Sequence, residues 1–560
     1  MNLRFSDVRA AGEPGGHRHR KRFRQWGAPI VLLALVVSLL TACGGGEGDD
    51  EGTAIGGEAN IESSDYPEVA TNQTITAGVS TLQEQYADPV IANIGGNSYP
   101  IMQSVGDPLI FRNTDNTFGP GLAESWETSE DGLTWTFTLR SGVKMHDGSD
   151  FTAKDVETSV NRVLEYADDP AFVGYAAWVA QVESVKVLDD LHVEITSKTP
   201  YASLGIAAPV PIATDYYEEV GEAEFRKQPM AAGPWMFDSQ ILNDSMTLKR
   251  FDDYYDESRI ANFETLVLKI IPDESTRVSS LQSGQIDMAM GLSPASVAQL
   301  QGSADVKLVN VPDSAIASVY LPDLWKDNGA PATDQKVREA MLMAVDRESI
   351  ANSLYAGMGH VPNSLFASVA PGYDPDAEPV PYDPEQAKKL LEEAGYPDGF
   401  EIDFTTYSQT TVVPDVQKLV EAVAGYWEQI GIKVNINVLD AATYLPAVRS
   451  HSYDGAIVLG APSLLYTDPA QYWTWFESDG AYSTVSDPEL DKVFAELNQQ
   501  VDPDKILPIA TEIRETVDAQ HYGLPMVNVD TVHAVGPNVA QWTTLKGNPY
   551  AGPFWYINAK

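Results

Sequence analysis

The stretch "GFEIDFTTYSQTTVVPDVQKLVEAVAGYWEQIGIKVNINVLD", residues 399–440, decides the fold class. Phe400, Ile402 and Phe404 alternate with polar residues, which is the period of a strand with one buried face. Val416, Leu419, Val420, Val423, Trp427 and Ile430 then fall on one face of a helix that stops at Gly431. Ile432, Val434, Ile436 and Val438 alternate again. Strand, helix and strand in this order form the crossover that a parallel strand pair needs, so this portion is α/β.

Upstream, "YDPEQAKKLLEEAG" (382–395) has Asp383 as a helix N-cap, Pro384 at the first helical position and Gly395 at the C-terminal cap. "DQKVREAMLMAVDRESIANSLYAG" (334–357) places Val337, Ala340, Met341 and Ala344 on one side of another helix. Nearer the start, Leu133, Trp135, Phe137 and Leu139 alternate as a half-buried strand after an Asp-Gly turn. A helix follows, with Thr152 as cap, Asp155 three residues on, and Val156, Val160, Val163 and Leu164 on its apolar face. In "SVKVLDDLHVEIT" (184–196) two alternating runs flank Asp189-Asp190 as a hairpin.

A chain of 560 residues exceeds what one core supports, so at least two lobes are expected. The formal charge is −44; beyond residue 42 there remain 29 basic and 78 acidic residues, a net of −49. Such a surface repels nucleic acid, and no nucleic-acid partner is expected. The single cysteine, Cys43, excludes an internal disulfide and any cysteine-based zinc or iron–sulfur site.

That cysteine stands in "VVSLLTACGGGEGDD" (36–50). Basic "HRHRKRFRQW" (17–26) precedes an apolar run of 15 residues, Ala28–Ala42, short of the roughly 20 that span a bilayer core. The order of basic, apolar and small residues marks an export signal over 1–42. Leu40-Thr41-Ala42-Cys43 resembles the bacterial lipobox, which implies lipidation of Cys43. Residues 44–72 are rich in Gly and acids, cannot bury enough surface to fold, and are expected to act as a tether of about 30 Å r.m.s. length.

Motifs for catalysis are missing. No His is followed by Glu, no Gly by Lys, and neither a G-x-S-x-G elbow nor a dinucleotide fingerprint occurs. His146-Asp147 reads as a loop hydrogen bond rather than an acid–base pair. No enzyme activity, cofactor or metal site is expected, although scattered carboxylates leave a glycosidase-like pair open. "QYWTWFES" (471–478) packs Tyr472, Trp473, Trp475 and Phe476 closely enough for some rings, Trp473 and Trp475 above all, to line a ligand cleft. A packed aromatic core is the competing reading.

Several ordered blocks, "LAESWETSEDGLTWTFTLRSGVKMHDGSDFTAKDVETSVNRVL" (122–164), "MAAGPWMF" (230–237), "LQSGQIDMAMGLSP" (281–294), 334–357 and 382–400, resemble the extracytoplasmic solute-binding proteins of bacterial ABC importers, the large peptide-binding family 5. The resemblance implies a two-lobed periplasmic-binding-protein-like α/β fold of the type II, cluster C form, with a hinge and an interlobe ligand cleft. Lobe I is expected over 73–312 plus 526–560, with a subdomain at about 104–231, and lobe II over 313–525. The crossings fall near Pro312 and Pro525.

Such a protein is a monomer on the outer face of the cell membrane, held there by its lipid. It closes on a small solute, a peptide by family default or an oligosaccharide, and delivers it to ABC permease subunits. The resemblance points to Trp235, Leu465, Tyr466 and Asp468 as ligand-binding positions. Peptide binders of the family carry an aspartate three residues before the Asp-Pro pair, where it neutralises the α-ammonium group. Here that position is Leu465, ahead of Asp468-Pro469, and Asp454 or Asp468 substitutes for the aspartate if the loop is shifted. A secreted hydrolase and an extracellular sensor on the same fold are the other readings.

Overall fold

A computed structural model of the chain describes residues 73–82, 88–90, 98–166, 178, 181–201, 203–408, 412–468, 473–480, 482–500, 502–550 and 552–560, all within one compact unit. Cys43, the export segment and the tether lie outside the described residues.

The strands are β1 (Thr74–Val79), β2 (Ile110–Arg112), β3 (Phe118–Pro120), β4 (Ala123–Thr128), β5 (Thr134–Leu139), β6 (Val182–Asp189), β7 (His192–Ser197), β8 (Trp235–Ile241), β9 (Ser245–Arg250) and β10 (Thr265–Ile270). They continue as β11 (Met288–Leu292), β12 (Lys307–Tyr320), β13 (Gly359–His360), β14 (Glu401–Tyr407), β15 (Lys433–Leu439), β16 (Ala456–Pro462), β17 (Gly523–Val535), β18 (Val539–Trp542) and β19 (Ile557–Ala559). One large mixed sheet runs β15-β14-β16-β12-β17-β11-β1-β10-β9-β8, with β13 added on β17. A separate sheet, β4-β5-β7-β6, stands apart from it.

The crossover read from 399–440 is present. β14 and β15 pair in parallel, Ile402 with Val434 and Phe404 with Ile436, and the helix Val416–Gln429 connects them. Its face holds because Leu419, Val420, Val423 and Trp427 are fully buried, each such aliphatic side chain contributing about 1.5–3 kcal/mol relative to exposure. Trp427 stacks on Phe404 at 5.2 Å, and its indole N–H donates to the Met341 carbonyl at 2.8 Å. β15 departs from the expectation of a half-buried strand: as the sheet's edge it leaves Ile436 and Val438 exposed.

Three apolar cores result among the described residues. One gathers the β12, β14, β16 and β17 side chains with the helices over 334–519. A second lies within 90–232, where Trp135, Phe137 and Leu139 of β5 face Val156, Val160 and Val163 of the helix Ala153–Glu165. That helix starts as read, with the Asp155 carboxylate accepting from the Thr152 backbone N–H at 2.8 Å. The third core joins β1, β8, β9, β10 and β11 to the C-terminal segment through Trp542 and Phe554.

β12 and β17 run the length of the join between these bodies. Their register slips in two places, the first between Val311 and Ala315, so that Pro312, Asp313 and Ser314 oppose Asp530 alone. Asp313 takes a left-handed φ of 47° there, and the Asp530 carboxylate accepts from its N–H at 2.9 Å. Pro525, the other expected crossing, pairs with Ser318 beside a second slip.

Candidate functional site

A cavity of about 1200 Å³ crosses this join. One wall comes from the ends of β1, β10 and β11, through Ser80, Pro272 and Met290; the other from β14 and β16, through Tyr407, Gly460 and Pro462. Asp530, Thr531 and His533 of β17 lie between the walls. Strand ends position these groups because a sheet stops delivering hydrogen-bonded neighbours there and opens a crevice.

Leu465, in the turn Ser463–Thr467 after β16, and Trp475 both line this cavity. Trp475 is stacked between Tyr320 (6.0 Å, 22°) and Tyr482 (5.3 Å, 22°). Tyr466 does not line it: buried, it packs edge-on against Phe366 at 5.9 Å. Nor does Asp468, whose carboxylate accepts a hydrogen bond from the Ser203 hydroxyl of the second core's segment. Beside it, the Arg112 guanidinium donates to Thr467.

Trp235 must also be corrected. Strand alternation turns it and Phe237 inward from β8, so it is wholly buried and packs on Phe263 at 5.1 Å. Trp473 opens the short helix Trp473–Phe476, and its side chain lies outside the described residues. Asp454 is engaged elsewhere, by Lys326 at 2.6 Å. His146 behaves as read: half-buried, it contacts the Gly233 carbonyl through Nε2 at 2.8 Å and accepts from the Ala231 N–H at Nδ1, and desolvation pushes its pKa down to about 4.

Sequence reasoning missed several wall residues. Tyr407 ends β14 and accepts from the Gly460 N–H at 3.2 Å; only its place at the end of an alternating run hinted at exposure to a crevice. His533 is buried and accepts from the Gly291 N–H at Nδ1 (2.9 Å), which fixes the proton on Nε2, and burial holds its pKa at about 3. Arg277 is buried, donates to the Ile271, Pro272 and Gly291 carbonyls, and is pushed below its usual pKa by desolvation.

The cavity's carboxylates are already engaged. Glu274 accepts from the Ser293 N–H (2.7 Å) and hydroxyl (2.8 Å), Asp415 pairs with Lys418 at 2.9 Å, and Asp530 holds the β12 bulge. The arrangement is suited to enclosing a molecule among aromatic and apolar groups.

The family profile "Bacterial extracellular solute-binding proteins, family 5 Middle" matches residues 117–483. The chain is 30% identical over 392 residues to heme-binding protein A of Haemophilus influenzae, covering 66% of this chain and 70% of that protein. It is 29% identical to the dipeptide-binding protein of Escherichia coli, covering 59% and 65% respectively. Among solved structures, HbpA2 of Haemophilus parasuis superimposes with a TM-score of 0.76 at 24% identity, over 87% of this chain and 100% of that one. The periplasmic binding protein DppA of Helicobacter pylori, in complex with the peptide STSA, gives 0.70 at 22% identity, over 87% and 98%. The fold is therefore the two-lobed α/β fold of periplasmic binding proteins, and the chain belongs to the bacterial extracellular solute-binding proteins of family 5.

Proposed function

We propose that the chain captures a peptide-sized solute in the 1200 Å³ cavity by closing two lobes, 73–312 plus 526–560 and 313–525, and hands it to an ABC permease. Pro312 and Pro525 mark the hinge in this reading, and Cys43 carries a lipid that keeps the body at the outer face of the membrane. Relatives named for dipeptide, glutathione and heme binding support a small organic solute without choosing among them. No catalytic role is assigned.

The observation that carries the choice of solute is Leu465 in the cavity wall, together with partners on Glu274, Asp415 and Asp530. A desolvated α-ammonium group facing Leu465 loses a charge-assisted hydrogen bond, an effect of several kcal/mol. The solute is accordingly one whose recognition does not rest on a free α-ammonium group: an N-blocked or side-chain-linked peptide, with an oligosaccharide as the alternative that stacks on Trp475 and Tyr482.

Thermal unfolding of the purified chain with dipeptides, their N-acetyl counterparts, glutathione, heme and oligosaccharides tests this, because a bound ligand raises Tm by mass action. A rise with free dipeptides and none with their acetylated forms overturns the choice of solute. Cell fractionation of Cys43→Ser tests the anchor separately: release from membranes is expected.

A further inference from the structure

We propose that Asp313, His360 and Asp530 form a binding site for a divalent first-row transition-metal ion at the bulge where β12, β13 and β17 meet. One ligand atom from each residue lies within 4.8 Å of the others. The three come from separate strands: Asp313 from the three-residue bulge of β12, Asp530 from the position of β17 that faces this bulge, and His360 from β13 on the other side of β17.

The separation of His360 and Asp530 suits a shared ion. His360 Nε2 stands 3.0 Å from Asp530 Oδ1. Two donors bound at about 2.0–2.2 Å to one ion lie about 2.8–3.1 Å apart when adjacent in octahedral geometry and about 3.3–3.6 Å in tetrahedral geometry. A cation seated here takes the place of the proton that His360 and Asp530 otherwise share. Imidazole with two carboxylates is a donor set that suits Zn²⁺ or Mn²⁺ better than an all-oxygen ion such as Ca²⁺.

The surroundings are built to hold these groups in place. The Asp530 backbone N–H donates to the Met358 carbonyl at 2.8 Å, and its carboxylate accepts from the Asp313 N–H at 2.9 Å and from Asn310 Nδ2 at 2.8 Å. The Ser368 hydroxyl donates to Asp313 Oδ2 at 2.8 Å. Such partners fix the orientation of ligating carboxylates, as the outer shell of a metal site does.

Titration of the chelator-treated full chain with ZnCl₂ by calorimetry, with MnCl₂ and CaCl₂ in parallel, tests the site. His17 and His19 are common to all variants, so the differences among variants report on the cluster. The wild type is expected to bind Zn²⁺, and His360→Ala and Asp313→Asn each to bind it at least tenfold more weakly. The His360 ring is half exposed, so metal-free His360→Ala should unfold at the wild-type temperature. Zn²⁺ should raise Tm in the wild type and not in His360→Ala. An affinity in His360→Ala within twofold of the wild type, or no Zn²⁺ binding by the wild type, overturns the proposal and leaves the pair as a proton-sharing contact only.

Discussion

Leu465 lines the cavity, whereas Asp468, three residues further on, is held outside it by the Ser203 hydroxyl. The nearest carboxylate of the turn thus serves to tie the β16 turn to the segment of the second core. A group committed in this way does not replace an ammonium-binding aspartate at 465 without breaking that tie.

Leu465→Asp is therefore expected to create what the wall lacks. The variant should bind free dipeptides at least tenfold more tightly than the wild type does, since a charge-assisted hydrogen bond contributes about 1.5–3 kcal/mol. Calorimetry with a dipeptide and its N-acetyl form reads the difference. Equal gains for both forms would show that position 465 acts through shape and not through charge.

Trp475→Ala should weaken binding of whichever solute the thermal screen identifies by more than tenfold. Its indole is fixed between Tyr320 and Tyr482 before any ligand arrives, so the ring contributes contact area with little ordering cost. Trp475→Phe keeps a ring in the stack and should recover most of the affinity. Unchanged binding in Trp475→Ala removes the ring from the site.

Glu477 follows the same short helix, and burial, aided by Asp491 and Asp479, raises its pKa from 4.5 to about 7. The folded chain thus holds this proton more tightly than the unfolded chain. The stability it contributes is full below pH 4.5 and is lost as pH rises through about 7. Glu477→Gln imitates the neutral form, so it should match the wild type at pH 4 and unfold about 1–3 °C higher at pH 8. Equal Tm values at pH 8 would place the carboxyl in water.

The α/β class was legible because periodicity reports which face is buried: the alternation of β5, the helix after Thr152 and the crossover at 399–440 are all present where read. Ligand contacts were less legible. Trp235 and Tyr466 are aromatic like Trp475, yet strand alternation and packing against Phe366 turn them into the interior. Tyr407, Arg277 and His533 lie in separate segments, and only the sheet order brings them to one cavity. The Asp313, His360 and Asp530 cluster is invisible in sequence for the same reason: a register slip brings it together, and no local pattern encodes that slip.

The stretch that set the fold class also contains its least replaceable contact. Gly399 precedes β14 with φ of 73°, and a Cβ built on it falls 1.9 Å from the carbonyl oxygen of Gly431, itself at φ of 95°. The strand entry and the helix exit of the crossover thus touch backbone to backbone, which excludes a side chain at 399, while the left-handed φ at 431 favours glycine there. Gly399→Ala must move one of these two loops, and with it the β14–β15 pairing and the packing of Trp427 on Phe404. The expected loss exceeds the roughly 1 kcal/mol that left-handed backbone alone imposes on alanine. Gly425, by contrast, lies in the helix with open space at its Cβ, so Gly425→Ala should stabilise the chain by a few tenths to about 1 kcal/mol. Chemical denaturation of the two variants side by side reads both signs, and a Gly399→Ala midpoint equal to that of the wild type would show that the close approach does not constrain the crossover.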